Sequence, residues 1–139
     1  VVVRRNHPIA ALDVINVKAL SAWPVIAPGA GTQVRSMVDD FLFASQSRST
    51  LKLLESQSET FSRAYTCSYD AIWFVPAGVV ELDLRLGTLV KLPLQSELLR
   101  APIGVTTLQA AYERPATAAC IRMLRGYHGS SVADEEVPL

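Results

Sequence analysis

Residues 28–33, Pro-Gly-Ala-Gly-Thr-Gln, are the part of this 139-residue chain whose types and spacing suit ligand chemistry. Pro28 fixes its own φ, while Gly29 and Gly31 free the backbone for turns that side chains forbid. Thr32 can then cap a helix, its hydroxyl accepting a hydrogen bond from a backbone N–H one turn in. The first N–H groups of a helix have no partner inside it and stand at the positive end of its macrodipole. A carboxylate or phosphate placed there gains roughly 0.3–2 kcal/mol. The same pattern also serves as a plain strand-to-helix turn without a ligand, and the residues alone leave both readings open. Two phosphate motifs are excluded. Gly29-Ala30-Gly31 begins like G-x-G-x-x-G, but Val34 stands where the third glycine belongs, and no Gly-Lys-Ser/Thr follows.

Other chemistry has little to draw on. Cys67 and Cys120 lie far apart, neither belongs to a C-x-x-C pair, and only His7 and His128 could join them. No metal site and no cofactor is expected from so few ligands. A Ser or Cys nucleophile needs a base within hydrogen-bond reach and a group that orients the base. His7, before Pro8, reads as a turn residue, and both histidines fall in surface segments. Cys67, near Asp70, reads as a small buried side chain. No catalytic residue is assigned, and the chain is not expected to be an enzyme.

Thirteen Lys and Arg balance 13 Asp and Glu, so no global charge draws the chain to nucleic acid or to an anionic membrane. Hydrophobic residues make up 50 % of it and the mean hydropathy is +0.25, which points to apolar surface that meets a partner or a missing segment. No apolar run approaches the roughly 20 residues that span a bilayer. The chain starts Val1-Val2-Val3 without a Met and reads as a fragment. Free thiols without a leader fit the cytoplasm.

The elements that position the turn follow from periodicity. Val1 to Arg5 reads as a strand, closed by His7-Pro8, and Ile9–Leu12 and Asn16–Ser21 as short turns. Trp23, Val25 and Ile26 form the strand before the glycines. Val34, Met37, Val38, Phe41 and Leu42 make one apolar stripe on the helix after them. Thr50 to Glu55 reads as a short strand, and Ser58 opens a second helix with Phe61 and Tyr65 at i+3 and i+7. Ala71 to Val75 suits a strand buried on both faces, with Trp73 in the core. Val79, Val80, Leu82 and Leu86 can face a core on a short helix that Gly87 ends, and Leu89 to Leu94 reads as a strand. Gln95 to Arg100 is a connection, Ile103 to Thr107 a further strand, and Pro115 the first position of a last helix carrying Ala118, Ile121, Leu124 and Arg125. Residues 129–139 read as a disordered tail. The alternation predicts an α/β fold with a mixed or parallel sheet.

These segments resemble, in order and spacing, the effector-binding domain of LysR-type transcriptional regulators. VVVRRNHPIAAL resembles the strand and His-Pro-Leu-Ala motif where the chain crosses from lobe I to lobe II, and WPVIAPGAGTQVRSMVDDFL the strand, turn and helix that face the effector. SETFSRAYTCSYDAIWFVPAGVVELDLRLGTLVKLPL resembles the rest of lobe II, and PIGVTT with RPATAACIRMLR the return crossing and final helix of lobe I. Tyr69-Asp70 stand where most members carry a glycine pair. D-A-I-W with P-I-G-V-T-T is closer to the regulators of protocatechuate catabolism and their sugar-responsive relatives.

The resemblance implies a fold like that of type 2 periplasmic binding proteins. Lobe II is complete over about residues 7–98, and a crossover and the last strand and helix of lobe I follow over about 99–128. It implies a small-molecule effector held between lobes by Pro28, Gly29, Ala30, Gly31, Thr32 and Gln33, with Asp70 accepting from a ligand hydroxyl, discriminating against anions, or serving as a plain turn residue. An aromatic or muconate-like acid is the expected effector, and a sugar the alternative. It further implies a homo-oligomer, dimer or tetramer, that meets DNA only through an absent N-terminal winged helix-turn-helix. An extracytoplasmic solute-binding protein would share this fold, and a leader upstream of Val1 would mark it. Loss of half of lobe I is expected to bare apolar surface and promote association.

Overall fold

The computed structural model describes residues 1–12, 14–94, 96–100, 104–108 and 114–126, without the side chain of Ser49. The chain divides into two units, Val1–Ala101 and Pro102–Leu139.

The first unit is built on apolar segments whose alternate residues point to opposite faces. Five of them pair into one sheet: β1 (Val2–Arg4), β2 (Pro24–Ala27), β3 (Lys52–Glu55), β4 (Ile72–Trp73) and β5 (Leu89–Lys91), in the order β3-β2-β4-β1-β5. β2 runs parallel to both β3 and β4, with Val25 opposite Leu53 and Ile72. β1 is antiparallel to both its neighbours, with Val2 opposite Trp73 on one side and Lys91 on the other. The sheet is therefore mixed, one reversed strand among four that share a direction.

Helix α1 (Gln33–Ala44) covers one face. Its Val38, Phe41 and Leu42 are buried with Val3, Val25, Ala27, Ile72 and Phe74. Val34 and Met37, half-buried, complete the expected stripe. The 3-10 turns Pro8–Ala11 and Val17–Ala22 add Ile9 and Leu20 to the same core. Helices α2 (Glu59–Ser68) and α3 (Glu81–Leu86) supply Tyr65 and Leu84 to the other face, against Val2, Ile26, Trp73, Val80 and Leu89. Burying each large side chain of this kind stabilises by roughly 1.5–3 kcal/mol.

Several boundaries differ from the sequence reading. β4 is shorter than Ala71–Val75 because its ladder ends with its neighbour: only the Phe74 N–H reaches further, donating to the Ile26 carbonyl at 2.9 Å. β3 begins at Lys52 rather than Thr50, and β5 stops at Lys91. Leu82 and Leu86 do not face a core; they are 61 % and 66 % exposed, because α3 takes the helical phase of Val80 and Leu84. Gly87 ends α3 as expected, at φ +69°.

In the second unit α4 (Pro115–Gly126) starts at the expected proline and buries Ile121. Residues 104–107 form no strand. Among the described residues of this unit none forms a strand that could pair with them, and a lone strand leaves its N–H and C=O groups unsatisfied. The expected tail, residues 129–139, and His128 lie outside the described residues.

Candidate functional site

In open α/β sheets, ligands settle outside the carboxyl ends of the strands, where connections from neighbouring strands leave in opposite directions. Here β2 and β4 are neighbours. The chain leaves β2 through α1 toward β3 on one side, and leaves β4 through α3 toward β5 on the other. A cleft of about 270 Å³ lies at this point, just under the usual size of a small-molecule site. Pro28 and Thr32 line it after β2, Ser56 and Gln57 after β3, and Glu59 and Ser62 from the first turn of α2. Trp73, Phe74, Val75 and Pro76 give it an apolar wall. A second depression, beside Leu42, Phe43 and Arg48, sits at the carbonyl end of α1, away from the strand ends.

The turn Pro28–Gln33 takes its shape from its own hydrogen bonds. Thr32 caps α1 as the sequence indicated, its Oγ1 accepting from the Arg35 N–H at 3.2 Å. The same hydroxyl donates to the Gly29 carbonyl at 3.0 Å, so its proton is spent inside the turn. The donors that remain for a ligand are the N–H groups of Gln33 and Val34, which no carbonyl of the helix can reach. Gly31 holds φ +83°, a left-handed angle that favours glycine. Gly29 is needed for a different reason: a Cβ there would lie 2.7 Å from Gln57 Nε2. Gly29 is buried, Ala30, Gly31 and Gln33 are exposed, and none of the four lines the cleft.

Most of the cleft's lining escaped the sequence reading, which assigned only Pro28 and Thr32 of it to the site, and so did Arg35 behind the turn. Arg35 lies on the buried side of α1, its side chain 9 % exposed. Its Nη1 is 2.7 Å from Glu55 Oε1 and donates to the Pro28 carbonyl at 3.1 Å, and its Nε donates to Asp39 at 3.1 Å. Glu55 first, and then Asp39, raise the guanidinium pKa against the opposing effect of burial. The signal was its place three residues before Val38 and seven before Leu42, a charge in the phase of the apolar stripe. Gln57 and Glu59 follow a strand of the same sheet edge, which a topology would have brought here. Among the described residues, Glu59 is the one charged residue lining the cleft.

Asp70 is not brought to this site. It precedes β4, whereas the turn follows β2, and β2 and β4 are parallel. The chain must return along α2 to start β4, so Asp70 lies at the opposite end of the sheet. There its Oδ1 accepts from Arg4 Nε at 2.8 Å and lies 2.6 Å from Arg4 Nη2. His7 is not a surface residue either. It is 2 % exposed, packs edge-on against Trp23 at 5.0 Å, and caps the first 3-10 turn by accepting from the Ile9 N–H at Nδ1. Its Nε2 is buried without an aligned partner. Burial lowers its pKa, against the opposing pull of the Asp70 backbone carbonyl and carboxylate. Cys67 is exposed instead of buried, because Ser62 and Thr66 take the sheet-facing positions of α2. Partial burial and Asp83 push its thiol pKa up, which works against thiolate chemistry.

A ligand cleft at the switch point of a mixed sheet, walled by helix starts and apolar side chains, defines a small-molecule-binding α/β domain. The chain belongs to the family of LysR substrate binding domains, which it matches over residues 1–128, and its fold is accordingly of the type 2 periplasmic-binding-protein kind. It is 38 % identical over 106 residues to the uncharacterised HTH-type transcriptional regulator YdcI of Escherichia coli (strain K12). It is 31 % identical over 105 residues to the HTH-type transcriptional regulator PcaQ of Agrobacterium fabrum (strain C58), and equally to PcaQ of Rhizobium radiobacter. Each match covers 76 % of this chain and 34 % of the relative, so the chain spans about a third of the length of the curated relatives it matches. No solved structure matches. These relatives are transcriptional regulators, and no helix among the described residues is long and apolar enough to cross a membrane.

Proposed function

We propose that this domain senses a small-molecule effector in the cleft between the ends of β2 and β4, on behalf of a longer LysR-type transcription factor of the cytoplasm. In that protein the effector biases a homo-oligomer, dimer or tetramer, which meets DNA through a helix-turn-helix outside this chain. Residues of about 7–98 act as lobe II, and about 99–128 as crossover and part of lobe I.

An aromatic or muconate-like acid is the effector we favour. The observation that carries this reading is the pairing of unbonded donors, the Gln33 and Val34 N–H groups behind Pro28, Gly29, Ala30, Gly31 and Thr32, with the apolar wall of Trp73 to Pro76. A carboxylate fits the helix start and a flat hydrocarbon fits the wall. Glu59 favours a second reading, a sugar, since a carboxylate accepts from hydroxyls and repels anions. The test is a titration of the ¹⁵N-labelled chain with benzoate, muconate and glucose. Shifts concentrated at the amides of Gly31 to Val34 on adding an acid support the first reading. Shifts centred on Gln57 to Thr60 on adding glucose support the second. An absence of saturable shifts around the cleft for all three would reject both.

A further inference from the structure

We propose that Arg35 is a positioning residue that locks the two rims of the cleft to each other, so that the donors at the start of α1 are presented in one fixed geometry. Its bearing on effector binding rests on the reading above; the locking itself does not.

Arg35 touches both rims with one guanidinium. Nη1 bonds the carbonyl of Pro28, where the turn leaves β2, and the carboxylate of Glu55, the last residue of β3 before Ser56 and Gln57. Nε holds Asp39 one turn along the helix, and Asp39 in turn lies 3.7 Å from Arg48. A planar fork can make these bonds in three directions at once, whereas a lysine ammonium is a point charge on a flexible stem. Burying a cation is unfavourable unless its donors are met, and here Nε and Nη1 are met by groups from the turn, the helix and the neighbouring strand. Gln57 closes the rims from outside, since it fills the space that a side chain on Gly29 would need. The two ties therefore act on the same pair of loops.

The network also balances the charge beneath the turn. Arg35 and Arg48 are balanced by Asp39 and Glu55. The positive charge beneath the turn is thus spent within the protein, and at the start of α1 an effector carboxylate is met by neutral N–H groups rather than by a cation.

Amide hydrogen exchange of the ligand-free chain tests the lock. The Thr32 N–H donates to Gly29 and the Ser56 N–H to Ala27, one amide on each rim, while the Leu92 N–H donates to Val1 at the far edge of the sheet. In Arg35→Lys, exchange at Thr32 and Ser56 is expected to quicken together by about tenfold, with Leu92 unchanged. Glu55→Gln, at a half-exposed side chain whose amide oxygen can still accept from Nη1, gives the same pattern with smaller size. Unchanged exchange at both rims in both variants, or quickening shared equally by Leu92, overturns the lock. Benzoate then tests its purpose: the acid binds Arg35→Lys about tenfold more weakly. Equal binding to a chain whose rims have loosened overturns the positioning role. If benzoate does not bind the unaltered chain, the acid reading fails and the exchange result alone decides the lock.

Discussion

His7 shows how much one side chain's chemistry depends on what lies far from it in sequence. Beside Pro8 it reads as an ordinary turn residue, and locally it is one, for it caps a 3-10 turn. It is buried against Trp23 and close to Asp70, 16 and 63 residues further along the chain, which no local pattern reveals. The consequence is a pH dependence with a definite sign. The folded state holds the His7 pKa below 6.5, so the unfolded chain binds the proton first as pH falls. Stability is therefore lost from about pH 6.5 downward until the folded-state pKa is passed, and is level below it. His7→Asn keeps an acceptor for the Ile9 N–H and removes the titration. Its melting temperature is expected to fall less than that of the unaltered chain between pH 7 and pH 5, as calorimetry would show. Thr32 is the opposite case, since its capping role was legible from the residue type and the stripe that follows. Thr32→Val removes both bonds of its hydroxyl and should cost about 1 kcal/mol in a urea titration. With the turn no longer closed on Gly29, an acid effector should also bind about tenfold more weakly.

At the scale of elements, the sequence reading located every strand among the described residues of the first unit and the three α-helices described there, because each is an apolar run or stripe bounded by breakers or caps. It missed where they end. A strand stops when its partner stops, and partners are set by topology, as the two-residue β4 illustrates. It also turned α3 the wrong way. Leu82 and Leu86 share a face with Val79, but the left-handed stop at Gly87 and the contact of Leu84 with the core choose another phase. The end of α1 carries a prediction. The Gln46 N–H donates to Phe43 and the Ser47 N–H to Leu42, the six-to-one closure that ends many helices with a left-handed residue. That residue is Gln46, at φ +51°, where a side chain is strained. Gln46→Gly is expected to stabilise the chain by about 0.5–1 kcal/mol in chemical denaturation, although glycine inside a helix would do the reverse.

At the scale of the molecule, the balance of 13 basic and 13 acidic residues is reinforced by pairing, since Arg4, Arg35, Arg48, Arg63, Arg85 and Arg100 each lie within ion-pair distance of a carboxylate. With no net positive charge, the chain has little field with which to displace counterions from phosphates. Fluorescence anisotropy with a double-stranded oligonucleotide should find no tight binding by this chain at low salt and no steep loss of binding as salt is raised. The candidate turn was legible because strand, glycines and cap are contiguous. The cleft was not, because Gln57, Glu59 and Trp73 meet it only when parallel strands align their carboxyl ends, and the same alignment carries Asp70 away.

The reversed strand β1 has a consequence for how the chain acquires its shape. Val2 must pair with Trp73 on one side and Lys91 on the other, so β1, which precedes the other four strands of this sheet, is the last of them to gain both neighbours. Closing loops of that length is slow compared with forming α1 against β2 and β3. Until β4 has been made, Val1-Val2-Val3 lacks both of these neighbours, and until β5 has been made one edge of it stays open, the interval in which an exposed strand invites wrong partners. Arg4 and Arg5, directly after it, place two positive charges beside that ribbon and stand as gatekeepers against its premature pairing.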